Sequence, residues 1–173
     1  MKSISSLATI FLLIFACRLC SFTGHKSTPK PSSSPTSLSY ASDLIKEQLG
    51  TFRLIKSYNK EEAKKASYGF TVKLIDQSTD AALGEYKSSN GQSVVLLVTS
   101  YSTTTLPASL VDEIGKDRVW KTVKVIPKQT GKRVEGEDGL GNVVIIWSNG
   151  YWVFMTAGDS RSDASSLADN VGY

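Results

Sequence analysis

Several short constellations in this chain have the residue types and spacing that chemistry needs. Ser57-Tyr58-Asn59-Lys60 matches S-x-x-K, the spacing at which a lysine activates a serine nucleophile in penicillin-binding enzymes. It falls at the end of a strand-like run, and no K-T-G follows it, so the match reads as chance. Gly131-Lys132 and Gly139-Leu140-Gly141-Asn142 invite a phosphate-loop reading. Neither opens a helix, so the amides and dipole that would hold phosphate are absent. Glu135 and Glu137 should share a strand face, with Asp138 beside them, where carboxylates could attract a cation. They lack the calcium-loop spacing and read as a solvated hairpin edge, as Asp112 and Glu113 read as helix-surface charges.

Residues 41–173 contain neither Cys nor His. That excludes Ser-His-Asp hydrolases, Cys-His proteases, His-ligated metal enzymes, Cys zinc sites and a disulfide frame within the domain. No G-x-S-x-G occurs either. The expectation is a non-enzymatic chain with no catalytic residue, no metal and no cofactor. The enzymatic alternative is a small secreted hydrolase using carboxylates or Ser/Lys.

Charge narrows the partners. The 173 residues hold 20 Lys+Arg and 16 Asp+Glu, but Lys2, Arg18, Lys26 and Lys30 precede residue 41 and no acid does. Residues 41–173 are therefore balanced at 16 of each sign, and nucleic acid is not expected as a partner. Seven basic residues between Lys116 and Arg133 accompany one acid, Asp117. Lys121 and Lys124 fall on opposite strand faces, so this run makes no continuous stripe. It reads as charge that discourages edge aggregation, with anionic lipid headgroups or glycans as the alternative contact.

The address is written before residue 41. Leu7–Cys17 (LATIFLLIFAC) is apolar, and eleven residues at about 1.5 Å each reach roughly half a bilayer core, which suits a signal peptide within residues 1–21. Ile14-Phe15-Ala16-Cys17 resembles the bacterial lipobox, which makes Cys17 the expected site of lipid attachment, with palmitate-like acyl chains as a firm anchor. The alternative is a soluble secreted protein cleaved near Cys20 or Ser21. Residues 22–40 are rich in Ser, Thr, Pro and Lys and read as a semi-extended tether; His25, the only histidine, sits there as a solvated linker residue.

From residue 41 onward a single α+β domain is expected. Ser42–Gly50 reads as a short helix, Thr51–Tyr58 as a strand, Glu61–Ala66 as a helical turn and Phe70–Ile75 as a strand. Ser89-Asn90-Gly91 and Ser148-Asn149-Gly150 each separate strand-like runs, the pattern of two hairpins with Asn-Gly at the turn. Each hairpin precedes a helical stretch, Leu106–Gly115 and Asp163–Asn170, which invites a ββα duplication at a 59-residue spacing. Val119–Ile126 and Lys132–Glu137 read as further strands. The fold class expected is α+β: a single, mostly antiparallel sheet of six or seven strands with two or three helices packed on one face. Val94–Val98 and Val143–Trp147 are apolar at every position, so both faces need cover near the sheet centre. Trp147, Tyr151, Trp152 and Phe154 cluster at the second hairpin and are either core aromatics or a binding face for a lipid, glycan or peptide.

At Gly141–Gly158 (GNVVIIWSNGYWVFMTAG) the chain resembles a group of uncharacterised bacterial lipoproteins. Their pattern joins a lipobox leader and Ser/Pro tether to a small domain with an Ala-Leu-x-x-Tyr strand and a late V-V-W-[ST]-N-G hairpin near a terminal Tyr. Ala82-Leu83-Gly84-Glu85-Tyr86, Val144–Gly150 and Tyr173 stand at those places. The resemblance spans about residues 50–173. It implies an extracytoplasmic location and an α+β fold, and it carries across no catalytic residue.

Three functional readings follow: a membrane-tethered extracytoplasmic binding or accessory domain, with an unknown protein, lipid or glycan as ligand; the small secreted hydrolase; and a structural module that forms a homodimer through the second sheet face.

Overall fold

Strands apolar on both sides can be stable only inside a layered structure, and that requirement organises this chain. A computed structural model of the protein describes residues 40–128 and 131–172. The leader, Cys17, Cys20, the tether and His25 lie outside the described residues.

Among the described residues the strands are β1 (Gln48–Leu49), β2 (Phe52–Tyr58), β3 (Asp80–Lys87), β4 (Ser93–Ser100), β5 (Trp120–Lys128), β6 (Gly131–Asp138), β7 (Val143–Asn149) and β8 (Trp152–Gly158). They form one sheet in the order β1-β2-β3-β4-β8-β7-β6-β5, every neighbouring pair antiparallel. The helices are α1 (Lys60–Ala66), α2 (Phe70–Gln77), α3 (Thr105–Ile114) and α4 (Arg161–Val171), with a 3-10 turn at Ala41–Leu44.

Each face of the sheet has its own core. On the first, Val94, Leu96, Val98, Ile145, Trp147, Trp152 and Phe154 pack beneath α4 and the 3-10 turn. α4 presents Ala164, Leu167, Ala168 and Val171 at i, i+3, i+4 and i+7, the spacing of a single helical stripe. On the second face, Leu97, Val144, Ile146, Val153 and Met155 pack with Ala63 of α1, Leu74 and Ile75 of α2, and Leu110, Val111 and Ile114 of α3. The polar groups caught inside are partnered. Thr156 Oγ1 donates to Ala164 O at 2.9 Å, fastening α4 to β8, and Tyr101 OH donates to Leu74 O at 3.0 Å, fastening α2 to the end of β4.

This architecture corrects the expected fold class on five points. The sheet has eight strands rather than six or seven, and four helices stand where two or three were expected. The helices cover both faces rather than one, because the central strands expose apolar side chains to both. Residues 42–50 are not a helix: the 3-10 turn ends at Leu44, and the chain extends into β1, paired with the start of β2. Phe70–Ile75 is not a strand but most of α2, whose Leu74 and Ile75 are fully buried; packing overrides the strand preference of its β-branched residues.

The duplication is not supported either. β3–β4 and β7–β8 flank the centre of the sheet symmetrically, since β4 pairs antiparallel with β8. A two-fold axis relating them would run perpendicular to the sheet and keep their helices on one face. α3 lies on the second face and α4 on the first. The turns differ as well. In the first hairpin Gly91 N–H donates to Ser88 O at 3.0 Å and Gly91 takes φ 87°, so Ser89-Asn90-Gly91 is a three-residue loop. In the second, Asn149 still pairs with Trp152, and Gly150-Tyr151 alone make the turn.

At the other end of the sheet, a glycine makes room for a tryptophan. A Cβ on Gly136 of β6 would lie 2.5 Å from Cε3 of Trp120 and 2.7 Å from Thr122 O. Trp120 crosses this gap and donates from Nε1 to Ile114 O at 2.6 Å, tying β5 to the end of α3. Gly136→Ala should therefore cost about 1–3 kcal/mol; an unchanged urea midpoint would contradict the close approach.

Burial pushes the Tyr101 hydroxyl from the ordinary 10.0 up to about 12. Between those pH values the folded chain keeps a proton that the unfolded chain has lost. Stability present below pH 10 is therefore lost as pH rises toward 12, at up to about 1.4 kcal/mol per pH unit. Thermal melting across this range should show the decline, and Tyr101→Phe should remove part of it; an identical slope in the variant would refute the assignment.

Candidate functional site

The aromatic hairpin is mostly interior. Trp152 is 1% exposed, Phe154 0% and Trp147 7%. Trp147 and Phe154 are directly opposed across β7–β8 and stack with centroids 5.3 Å apart. Tyr151, at the turn, is half-buried against the same core, and its carbonyl accepts from Tyr101 N–H at 2.8 Å. The four residues are thus together, but beneath α4 and the 3-10 turn. The indole Nε1 of Trp152 and the Oγ of Ser148 are buried without a hydrogen-bond partner among the described residues.

The motifs that suggested chemistry are held in structural contacts. Asn59 caps α1, accepting from Glu62 N–H at 3.1 Å, and Lys60 turns to donate to Ser78 O at 2.5 Å. In the β6–β7 turn, Asp138 Oδ1 accepts from the amides of Leu140 and Asn142, each at 2.9 Å, and Oδ2 accepts from Asn142 Nδ2 at 3.0 Å. The amides that a phosphate would need are occupied by the protein's own carboxylate. Among the described residues, no group of three or more His, Cys, Asp or Glu side chains could hold a metal ion.

Glu135 and Glu137 share the first face with cations for partners. Arg133 Nε lies 2.7 Å from Glu135 Oε1, an ion contact without hydrogen-bond alignment, and Arg161 Nη1 lies 3.3 Å from Oε2. Arg133 also reaches Asp169 at 3.0 Å. This network straps both ends of α4 to β6, and it is better shielded than the pairs Lys121–Glu137 and Lys132–Asp112 at 3.4 and 2.6 Å. Exposed pairs of that kind contribute about 0–1 kcal/mol each. Three of the seven basic residues of the run, Lys121, Lys132 and Arg133, are thus paired with acids, and the register shift between Trp120 and Thr122 puts Lys121, beside Glu137, on the first face with Lys124 rather than opposite it as the alternation predicts.

Accessible apolar side chains gather at the outer end of the second face, while Ile55 of β2, Leu140 and Tyr40 are exposed singly elsewhere. Val123 and Val125 of β5 are 46% and 47% exposed, and Val119, just before the strand, is also exposed. Both valines share the face of Val134 and Gly136, their β6 partners. Trp120 borders them, its ring 5.5 Å from that of Phe70, and Tyr68 is exposed two residues earlier. On the opposite face of β5, Lys124 stands across from Glu135. Sequence reasoning found the alternation of Val119–Ile126 but did not single out these valines, because nothing local says that β5 ends the sheet.

No helix among the described residues is long and apolar enough to cross a membrane. No protein-family model matches the chain, and no curated protein matches it. Among solved structures it is similar to a GTP binding regulator from Thermotoga maritima, with a TM-score of 0.51 and 16% sequence identity over 76% of this chain and 81% of that one. At that identity the likeness is one of fold.

Proposed function

We propose that the chain is a non-enzymatic binding or accessory domain on the extracytoplasmic side of a membrane, anchored by lipid at Cys17 and set off from the surface by residues 22–40. The observation that carries the binding half of this reading is the contrast between two kinds of surface. The groups suited to chemistry, Lys60, Glu135, Glu137 and Asp138, are engaged in caps, turns and ion pairs. Of the uncovered apolar groups, Val119, Val123 and Val125 gather on and beside β5 at one edge of the sheet, whereas Ile55 of β2 and Tyr40 stand apart from them. A surface of that kind recognises by contact. The structural neighbour is a GTP binding regulator, and a fold shared with it is compatible with a binding role. A nucleotide, however, would find the amides of Leu140, Gly141 and Asn142 already bonded to Asp138.

The anchor rests on the Leu7–Cys17 leader, the Ser/Pro-rich stretch that follows, and the charge balance of the domain. Expressed from its full gene in a bacterial host, the protein should fractionate with membranes, leave them only in detergent, and yield an acylated N-terminal peptide beginning at Cys17. Cys17→Ala should move it to the soluble fraction. Membrane retention unchanged by that substitution, or a mature N-terminus beyond Cys20, would overturn the lipid anchor.

A further inference from the structure

We infer that the free edge of β5 is a docking site for an extended acidic segment of a partner protein, which joins the sheet as an antiparallel strand. The inference rests on the binding role proposed above and is independent of the lipid anchor.

The direction of the backbone groups follows from the register. Asp138 N–H donates to Asn142 O at 3.0 Å, which makes those residues a hydrogen-bonded pair across β6–β7. Bonded and non-bonded pairs alternate along an antiparallel ladder. Gly136 and Val134 therefore bond to β7, while Glu137, Glu135 and Arg133 bond outward to Thr122, Lys124 and Ile126 of β5. The amides and carbonyls of Val123 and Val125 must then point away from the sheet, as unpaired groups ready for another strand. Pro127 occupies the next outward position, where its missing N–H costs the β5–β6 ladder nothing.

The two edges of the sheet are not equivalent. At the far edge, β1 covers Arg53 and Phe52, and the register of β2 then shifts between Leu54 and Lys56, which spoils the remainder as a template. β5 keeps its register unbroken from Thr122 to Lys128.

Side chains state what would fit. An added strand would place alternate residues beside Val123 and Val125 on the second face, and beside Lys124 on the first. β6 already meets these requirements from the inner side, with Val134 opposite Val125 and Glu135 opposite Lys124. The segment that fits the outer side likewise alternates apolar and acidic residues, since favourable cross-strand pairs stabilise an added strand. A second copy of β5 fits less well, because it would bring the lysines of both strands onto one face, like against like.

The test uses the purified full chain in detergent and a dye-labelled heptapeptide, Thr-Glu-Val-Glu-Val-Glu-Thr, with the Lys-for-Glu peptide as control. The acidic peptide should bind at least tenfold more tightly, and it should slow hydrogen exchange of the Val123 and Val125 amides. Val125→Pro removes one outward N–H without touching the bonds to β6 and should abolish binding. Lys121→Gln/Lys124→Gln, with an unchanged melting temperature, should weaken binding at least fivefold and keeps the question open to refutation if the proline variant does not fold. Equal binding of both peptides, or acidic-peptide binding that survives in a folded Val125→Pro variant, would overturn the proposal. So would phosphatidylglycerol vesicles displacing the peptide through the lysines alone, or a dimer of the full chain that Val125→Pro dissociates. Membrane retention through Cys17 is read separately, so a failed peptide leaves the anchor standing.

Discussion

Burial on both sides of β4, β7 and β8 is the constraint from which the rest of this structure follows. Leu96 and Leu97 are adjacent in sequence and point to opposite faces, yet both are inaccessible; Ile145 and Ile146 repeat the arrangement. Each fully buried aliphatic side chain is worth about 1.5–3 kcal/mol, so leaving either face bare would forfeit several such contributions at once. The chain meets this demand with short, unequal covers. α1, α2 and α3 share one face, and α4 with a 3-10 turn takes the other. These covers lie over the centre of the sheet and leave β5 at its margin.

The same economy explains where the charged groups go. A short helix such as α4, whose buried stripe includes two alanines, has little apolar area with which to hold itself in place. Thr156 supplies a buried hydrogen bond to its backbone, and Arg133, Glu135 and Arg161 tie its exposed flank to β6. Carboxylates that might have drawn a cation are occupied in positioning a helix. Asp138 does comparable work in its turn.

Local signals made much of this legible in advance. The Ser-Asn-Gly segments mark both hairpins, although one closes through Gly150-Tyr151 rather than Asn149-Gly150, since strand pairing continues one residue further. α3 and α4 follow from their periodicity. α2 was misread because Phe70, Val72 and Ile75 are strand-like residues, and its helix depends on contacts with Ala63 and Tyr101 contributed from elsewhere. The aromatic cluster was legible as a cluster, but not as covered: α4 is polar along most of its length, and its small buried residues give little sign that two tryptophans lie beneath it. The accessible valines of β5 could not be chosen from their own segment, because edge position is a property of strand order.

Strand order also governs how such a chain can assemble itself. Most of its pairings join strands adjacent in sequence, so β5–β8 can form as a meander of local hairpins, and β1–β4 likewise apart from the excursion through α1 and α2 between β2 and β3. The seam between β4 and β8 is different, for Leu97 meets Met155 only after a long intervening stretch of chain has closed into a loop. Both cores straddle that seam, and neither half-sheet can shield its apolar faces before the two meet. Productive folding is thus gated by one late, non-local encounter, and a newly made molecule is most vulnerable to aggregation in the interval before it.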